Sequence, residues 1–211
     1  MKSSDPRPAS RLERRKTRTR QALIDAARAF LARQGMAEVS IQELTEAADV
    51  GFGSFYNHFG SKDELFQAAI GDVLEEHGQL LDELTAGIED PAEVFAASVR
   101  LTGRLAATHP QIARILTRTG LPYIDSDKGL APRALRDIRR AMEAGRFRVK
   151  NPHVALAGAG GSLLGFLQLW LEHPDLVDEN SPDELAEQVL RMFGMGQEEA
   201  GAIVRRPLPG G

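Results

Sequence analysis

The residues of this chain with the most legible chemistry lie in one stretch, residues 40–65, SIQELTEAADVGFGSFYNHFGSKDEL. Gln42, Ser54 and Asn57 carry donors and acceptors suited to base edges, and the Gln42 amide has the fork that pairs bidentately with adenine. Phe52 offers a flat apolar face for a thymine methyl. Its alternative is a core aromatic, and the adjoining Gly53, which permits close backbone approach to a ligand, favours exposure. Ser40 stands where its hydroxyl and the following amides would meet an anion at a helix N-terminus. The chemistry indicated is recognition of nucleic acid.

Catalytic readings lack their parts. The five histidines, His58, His77, His109, His153 and His173, show no metal-ligand spacing. His77 follows Glu75-Glu76 and His109 precedes Pro110, so both are read as helix-end or surface residues. The chain has no cysteine, which excludes disulfides, thiol catalysis and cysteine-based zinc sites and fits a reducing cytoplasm. No nucleophile elbow, P-loop or dinucleotide fingerprint occurs, and the run Gly158-Ala159-Gly160-Gly161 falls inside a helical pattern rather than after a strand. No enzymatic activity, metal or cofactor is expected, and with no apolar h-region in the N-terminal stretch secretion is not expected either.

The elements that must position the stretch are short helices. Ser40 and Glu43 form a capping box that starts a helix at about Ile41, with Ile41, Leu44, Ala47 and Ala48 as its apolar stripe. Asp49 stands at the turn, being one of the few residues that tolerate a left-handed backbone. In the segment 51–59, Phe55 and Phe59 are four apart and turn inward. Such a helix is too short to stand alone. Ser61 and Glu64 repeat the capping box and launch a longer helix past Ile70, with a weak point at Gly71. An earlier helix from about Leu12 or Thr17 to Arg33, ended by Gly35, braces the pair. The whole is a helix-turn-helix, whose second helix enters the major groove of DNA.

Charge supports this placement. The net formal charge is −4, yet the first twenty residues hold eight basic side chains, among them Arg14, Arg15, Lys16 and Arg20, against Asp5 and Glu13. A basic arm on an acidic body results. Beside a helix-turn-helix, such an arm neutralises phosphates or enters a minor groove.

The run Tyr56-Asn57-His58-Phe59-Gly60-Ser61-Lys62-Asp63-Glu64-Leu65, preceded by Ala47-Ala48-Asp49-Val50, resembles the signature of the tetracycline-repressor (TetR) family of transcriptional regulators over roughly Thr19 to Ile70. Asp49 and Gly60 stand where that family usually has glycine and proline, and both remain turn-compatible. The resemblance implies that Tyr56, His58 and Lys62 hold the phosphate backbone. It also implies that the last two long helices pair across a two-fold axis, and that a small molecule entering the C-terminal bundle shifts the fourth helix and separates the recognition helices. A dimer of this kind reads a palindrome with half-sites about 34 Å apart or a multiple of that.

Further along, Asp90-Pro91-Ala92-Glu93 starts a helix reaching about Thr108, followed by helices over 111–119, 132–144, 154–171 and from Ser181. Arg133, Arg136, Arg139 and Arg140 give one of them a basic face, read as solvated. Residues 154–171 are apolar almost throughout and contain Gly161-x-x-x-Gly165. A membrane span is one reading; a soluble helix buried on two sides is favoured by its four glycines and Gln168. Gly158, Gly161, Ser162, Gly165 and Leu169 there, with Leu185, Val189 and Met192 of the last helix, are the expected dimer interface. Phe95, Val99, Thr102, Leu116, Tyr123, Met142, Phe147 and Phe166 are the candidate ligand pocket, and the absence of charge among them points to a largely apolar effector.

The expectation is an all-α protein of about nine helices. It comprises a disordered basic arm (1–16), a helix-turn-helix domain (17–62), a bundle for ligand binding and dimerisation (63–204) and a flexible tail (205–211). Its function is that of a cytoplasmic DNA-binding regulator, a homodimeric repressor released from its operator by a small molecule. A constitutive DNA-binding protein without effector and a membrane-associated regulator using 154–171 are the alternatives.

Overall fold

A computed structural model describes residues 10–33, 35–36, 39–119 and 128–209. Among them there are eleven α-helices, one 3-10 turn and no strand. The chain divides into two compact units, Met1–Ala69 and Ile70–Gly211.

The first unit contains α1 (Arg11–Arg33), α2 (Ile41–Ala47), α3 (Phe52–Phe55) and the opening turns of α4 (Lys62–Thr85). α1 begins earlier than its apolar pattern does. Ser10 Oγ accepts from the Glu13 amide at 3.2 Å while the Glu13 carboxylate accepts from the Ser10 amide, which caps the helix. Residues 11–16, expected in a disordered arm, are therefore helical. Leu23, Ala27, Phe30 and Leu31 of α1 close over Leu44, Phe55, Phe59, Leu65 and Phe66, all buried. Burying Phe55 and Phe59 contributes about 1.5–3 kcal/mol each, which is what holds the four-residue α3 in place. The inward residues of α2 are Leu44 and Thr45; Ala47 and Ala48, placed in its stripe by spacing, are at least partly exposed because the helix ends there.

The second unit holds the rest of α4, then α5 (Pro91–Gly103), α6 (Leu105–Thr108), α7 (Pro110–Thr119), α8 (Leu130–Glu143), α9 (Pro152–Glu172), α10 (Ser181–Met192) and α11 (Gln197–Val204). Gly71 does not interrupt α4. The helix expected over 90–108 bends at Arg104 into α5 and α6, and α11, which lacks a side-chain cap, was not expected at all. At the centre, Phe95, Phe147 and Phe193 meet with ring centroids 5.0–5.7 Å apart. Arg100, almost fully buried, donates to Asp183 Oδ1 at 2.8 Å and to the Arg206 carbonyl at 2.9 Å, fastening α5 to α10 and to the strip after α11. The Arg206 guanidinium also pairs with Glu93. Arg206, counted above in a loose tail, is held at both ends.

α9 is long and apolar enough to cross a membrane. Its outward face carries Ala157, Gly161, Ser162, Gly165 and Gln168, whereas Ala155, Leu156, Ala159 and Leu167 are buried. Gly129, with φ +81°, opens α8, and a Cβ there would stand 2.8 Å from Leu74 Cβ, so only glycine fits without a shift of α4 or α8.

Candidate nucleic-acid interface and interior cavity

In the first unit the two helices of the motif are joined as the spacing requires. Ser40 accepts from the Glu43 amide and Glu43 accepts from the Ser40 amide at 2.8 Å. At the other end Asp49 adopts φ 52°, the Asp49 amide donates to the Glu46 carbonyl, and the Val50 amide reaches the Thr45 carbonyl at 3.0 Å. This six-to-one bond is the Schellman stop, with Asp49 in the place of glycine. The second capping box forms in altered form: Glu64 receives the Ser61 hydroxyl oxygen at its amide, but its carboxylate takes the Gly60 amide, at 2.6 Å.

Backbone bonds from Asn57 to Ser54 and from His58 and Phe59 to Phe55 continue the turn of α3 to residue 59. Phe55 and Phe59 face inward, which leaves Phe52 (54% exposed), Gly53, Tyr56 (57% exposed) and Asn57 outward, with Ser54 half-buried. The Phe52 and Tyr56 rings meet edge to face at 6.0 Å. Phe52 is thus a surface aromatic and not a core one. Exposed aromatic rings side by side on a helix rich in small residues form a surface that can lie against base edges.

Other expected contacts are already engaged within the unit. The Ser40 hydroxyl donates to Glu43 Oε2 at 2.7 Å, so the anion at the α2 N-terminus is this carboxylate, held below its ordinary pKa by the Ser40 amide and then by the hydroxyl. Gln42 is exposed on α2 and donates its amide to Glu46 Oε1 at 2.8 Å. Lys62 donates Nζ to the Met36 carbonyl at 3.1 Å, tying α4 to the segment before α2. His58 is half-buried with Nδ1 unpartnered and shut off from solvent. Burial, then the charges of Lys16 and Arg20, push its pKa down. Arg20 also lies over the Phe59 ring, 4.9 Å from its centroid. Lys16 and Arg20 thereby join the α3 surface to α1. Sequence spacing had assigned Lys16 to an arm and could not place either beside His58.

The second unit encloses a cavity of about 130 Å³ walled by α4, α5, α7, α8 and α9. Of the residues expected there, Phe95, Val99, Thr102 and Leu116 line it. Three do not. Phe147 is spent in the aromatic trio, Phe166 pairs with Trp170 at 5.6 Å, and Met142 packs on the core behind α8. Tyr123 lies outside the described residues. The wall also includes Leu156, Leu163, Leu164 and Leu167 of α9, Leu74 and Leu81 of α4, and Leu130, Ala131 and Ala134 of α8, with Ser98 of α5 as a further polar group.

The expectation of an uncharged lining is overturned at one edge, where Asp82, Arg133 and Asp137 reach the cavity. Asp137 is 4% exposed and accepts both Nε and Nη2 of Arg136, at 2.8 and 3.1 Å. Arg136 and Arg133 both donate to Asp82 at 2.7 Å, and Arg133 continues to Glu75 through two bonds of 2.8 and 2.9 Å. The basic face of α8, read as solvated, is therefore half engaged in a chain of ion pairs with α4. Hydrogen bonds from Arg133, Gln79 and the Gly129 amide hold Glu75 down to about 2. At Asp82, burial works the other way and is outweighed by Arg136 and Arg133, so its pKa is also lowered.

His77, expected at the surface, is 5% exposed, and its Nε2 is 3.0 Å from Thr102 Oγ1 on the cavity wall. The Thr102 hydroxyl donates to the Ser98 carbonyl at 2.8 Å, so Nε2 carries the proton of a neutral imidazole. Burial, then the charge of His109, drives the His77 pKa to about 4.

On the candidate dimer face, Gly158, Gly161, Ser162, Gly165, Leu169 and Met192 are exposed or half-exposed, and Met192 lies over Gly158. Leu185 and Val189 are a correction: both are buried in the protomer core, where α10 packs on α5. Their stripe is real, but this chain covers it.

Two family models match, bacterial regulatory proteins of the tetR family over residues 23–69 and the tetracyclin repressor-like C-terminal domain over residues 90–206. The probable acrEF/envCD operon repressor of Escherichia coli (strain K12) is 28% identical over 207 residues, covering 88% of this chain and 91% of that protein. The crystal structure of RolR in complex with resorcinol is 33% identical, covers 93% of this chain and 97% of RolR, and superposes with a TM-score of 0.69. RolR without ligand is 34% identical over 90% of this chain and 98% of its own, with a TM-score of 0.64. The helix-turn-helix of the first unit and the helical second unit are those of the tetR family of DNA-binding transcriptional regulators, to which this chain belongs.

Proposed function

We propose that the protein is a cytoplasmic repressor that holds a palindromic operator as a homodimer and releases it when a compact, hydroxylated ring compound occupies the cavity of the second unit. Residues 17–62 are assigned to DNA. Phe52, Gly53, Ser54 and Asn57 meet bases with Gln42. Tyr56, His58 and Lys62 meet phosphates with Ser40, joined by Lys16 and Arg20. Residues 63–204 are assigned to effector and dimer, with the small-residue face of α9 and Met192 as the interface. Glycines on that face let a partner helix approach closely in water, which makes a membrane role unnecessary.

The cavity carries the proposal. Its volume, about 130 Å³, is close to that of an engineered cavity of about 150 Å³ that binds benzene, so one ring fits and two do not. Its walls are mostly apolar, with Ser98 and Thr102 on α5 and a charged edge formed by Asp82, Arg133 and Asp137 that supplies acceptors and a donor for ring hydroxyls. Resorcinol, named with RolR, is a compound of this description.

Thermal unfolding with resorcinol, phenol, benzoate and a long-chain fatty acid tests the reading. A bound effector at a hundred times its Kd stabilises by about 2.7 kcal/mol. The hydroxylated rings are expected to raise Tm and to weaken binding to a duplex enriched from random sequence. Stabilisation by the fatty acid alone, or by none of the four, would overturn it.

A further inference from the structure

The most constrained side chain at the cavity edge is Arg133, and it lies across α4. A Cβ on Gly78 would stand 2.9 Å from Arg133 Cδ and 2.9 Å from Nη1, so the guanidinium rests on the bare backbone of that turn. Glu75 and Asp82, three residues before and four after Gly78, share its face and grip the guanidinium from both sides. Arg133 Nη1 also donates to the Gly129 carbonyl at 2.8 Å, and Glu75 accepts the Gly129 amide at 3.0 Å, so the start of α8 is fastened at the same point. A mid-helix glycine costs about 1 kcal/mol relative to alanine. Gly78 has a packing reason for that cost. Gly71, one helical stretch earlier, has nothing within 4 Å of its missing Cβ and has none.

We infer that this clasp of Arg133 over Gly78 is the element through which the cavity controls α4; the inference rests on the effector reading given above. Both oxygens of Asp82 already accept a guanidinium, Oδ2 from Arg133 and Oδ1 from Arg136, and Arg136 is forked onto Asp137. A ring hydroxyl donating to Asp82, or accepting from Arg133, takes up a lone pair or a donor that now holds α4 to α8. Occupancy of the cavity and closure of the clasp therefore draw on the same atoms, which gives the effector unequal affinity for the closed and open arrangements, as any allosteric ligand requires. α4 runs unbroken from Lys62 to Thr85, so a change at Glu75, Gly78 and Asp82 acts on the helix that opens beside the DNA-contacting turn.

The test compares wild type with Gly78→Ala, which pushes the guanidinium off its seat without removing a charge, with Glu75→Gln, which weakens the grip without altering shape, and with Gly71→Ala as the control on the same helix. Affinity for the enriched duplex is measured by anisotropy on the full chain, with and without resorcinol. Gly78→Ala and Glu75→Gln are expected to bind the duplex about tenfold more weakly with no compound added, and resorcinol is expected to change their affinity little further. Gly71→Ala should follow wild type in both respects. Thermal unfolding of each variant separates the clasp from general damage, because a merely structural role lowers Tm and leaves DNA affinity in place. Wild-type affinity within twofold for both clasp variants overturns the inference. Should resorcinol leave wild type unmoved, the effector reading fails, while the compound-free comparison still decides the clasp.

Discussion

Protonation of His77 should destabilise the second unit in acid, and the amount follows from its surroundings. The imidazole is neutral, with Nε2–H donated to Thr102 and its pKa pressed to about 4 by burial first and by His109 second. In the unfolded chain it returns to an ordinary histidine value of about 6.5. The folded pKa is the lower one, so the unfolded state binds more protons between these values. Stability is then complete above about pH 6.5 and is lost as pH falls towards 4. A difference of about 2.5 units corresponds to about 3 kcal/mol in full, of which about 2 kcal/mol is gone by pH 5. That is a large part of the 5–15 kcal/mol typical of a domain. Glu75, Asp82 and Asp183 also have lowered pKa values and act in the same direction, losing stability as pH falls, but only below their ordinary carboxylate values near 4, beneath most of this window. Urea unfolding followed by Trp170, the single tryptophan and a residue of α9, reports on this unit. His77→Gln should be less stable at pH 7 but lose about 2 kcal/mol less than wild type between pH 7 and 5. Superimposable pH profiles for the two proteins would refute the burial argument.

On DNA, Gln42→Ala and Ser54→Ala should reduce discrimination between duplexes, whereas Lys62→Ala weakens all duplexes alike, lowers the salt slope by about 1 and, by freeing the Met36 carbonyl, also lowers Tm. Equal losses on specific and random DNA for all three variants would overturn the sorting into base and phosphate contacts. For the dimer, Gly161→Leu on the exposed face of α9 should shift sedimentation towards monomer at unchanged Tm per protomer. Leu185→Ala, in the core, should cost about 2–3 kcal/mol in unfolding and leave self-association of the folded protein unaltered; the reverse pattern would exchange the two assignments.

How much of this was legible in the sequence depended on range. Ser40 with Glu43, Asp49 in the turn, and Phe55 with Phe59 turned inward are all set by residues within five positions of each other, and the structure has them as the spacing requires. What failed was long-range. Arg133 and Arg136 look like half of a solvated basic face because their partners Glu75 and Asp82 stand 51 to 58 residues earlier. His77, after two glutamates, resembles a surface residue, and only the packing of α5 on α4 places Thr102 against it. The stripe Leu185, Val189 correctly marks a buried face of α10, but periodicity cannot say whether a partner or α5 buries it. Pocket and core are likewise one alphabet: Phe95 lines the cavity while Phe147, 5.7 Å away, fills the trio.

The fastening of Arg100 to Asp183 and to the Arg206 carbonyl spans 83 and 106 residues of chain. At a synthesis rate of about 5–20 residues per second, α5 waits on the order of 5–20 s between leaving the ribosome and meeting the helices that cover it. During that interval Phe95 and Val99 are uncovered, and the first unit, whose described buried residues run from Leu23 to Ala69, has had time to close. The newborn protein thus passes through a period in which its DNA-facing part is complete and its sensing part is still sticky, and chaperone demand or aggregation should concentrate in that period.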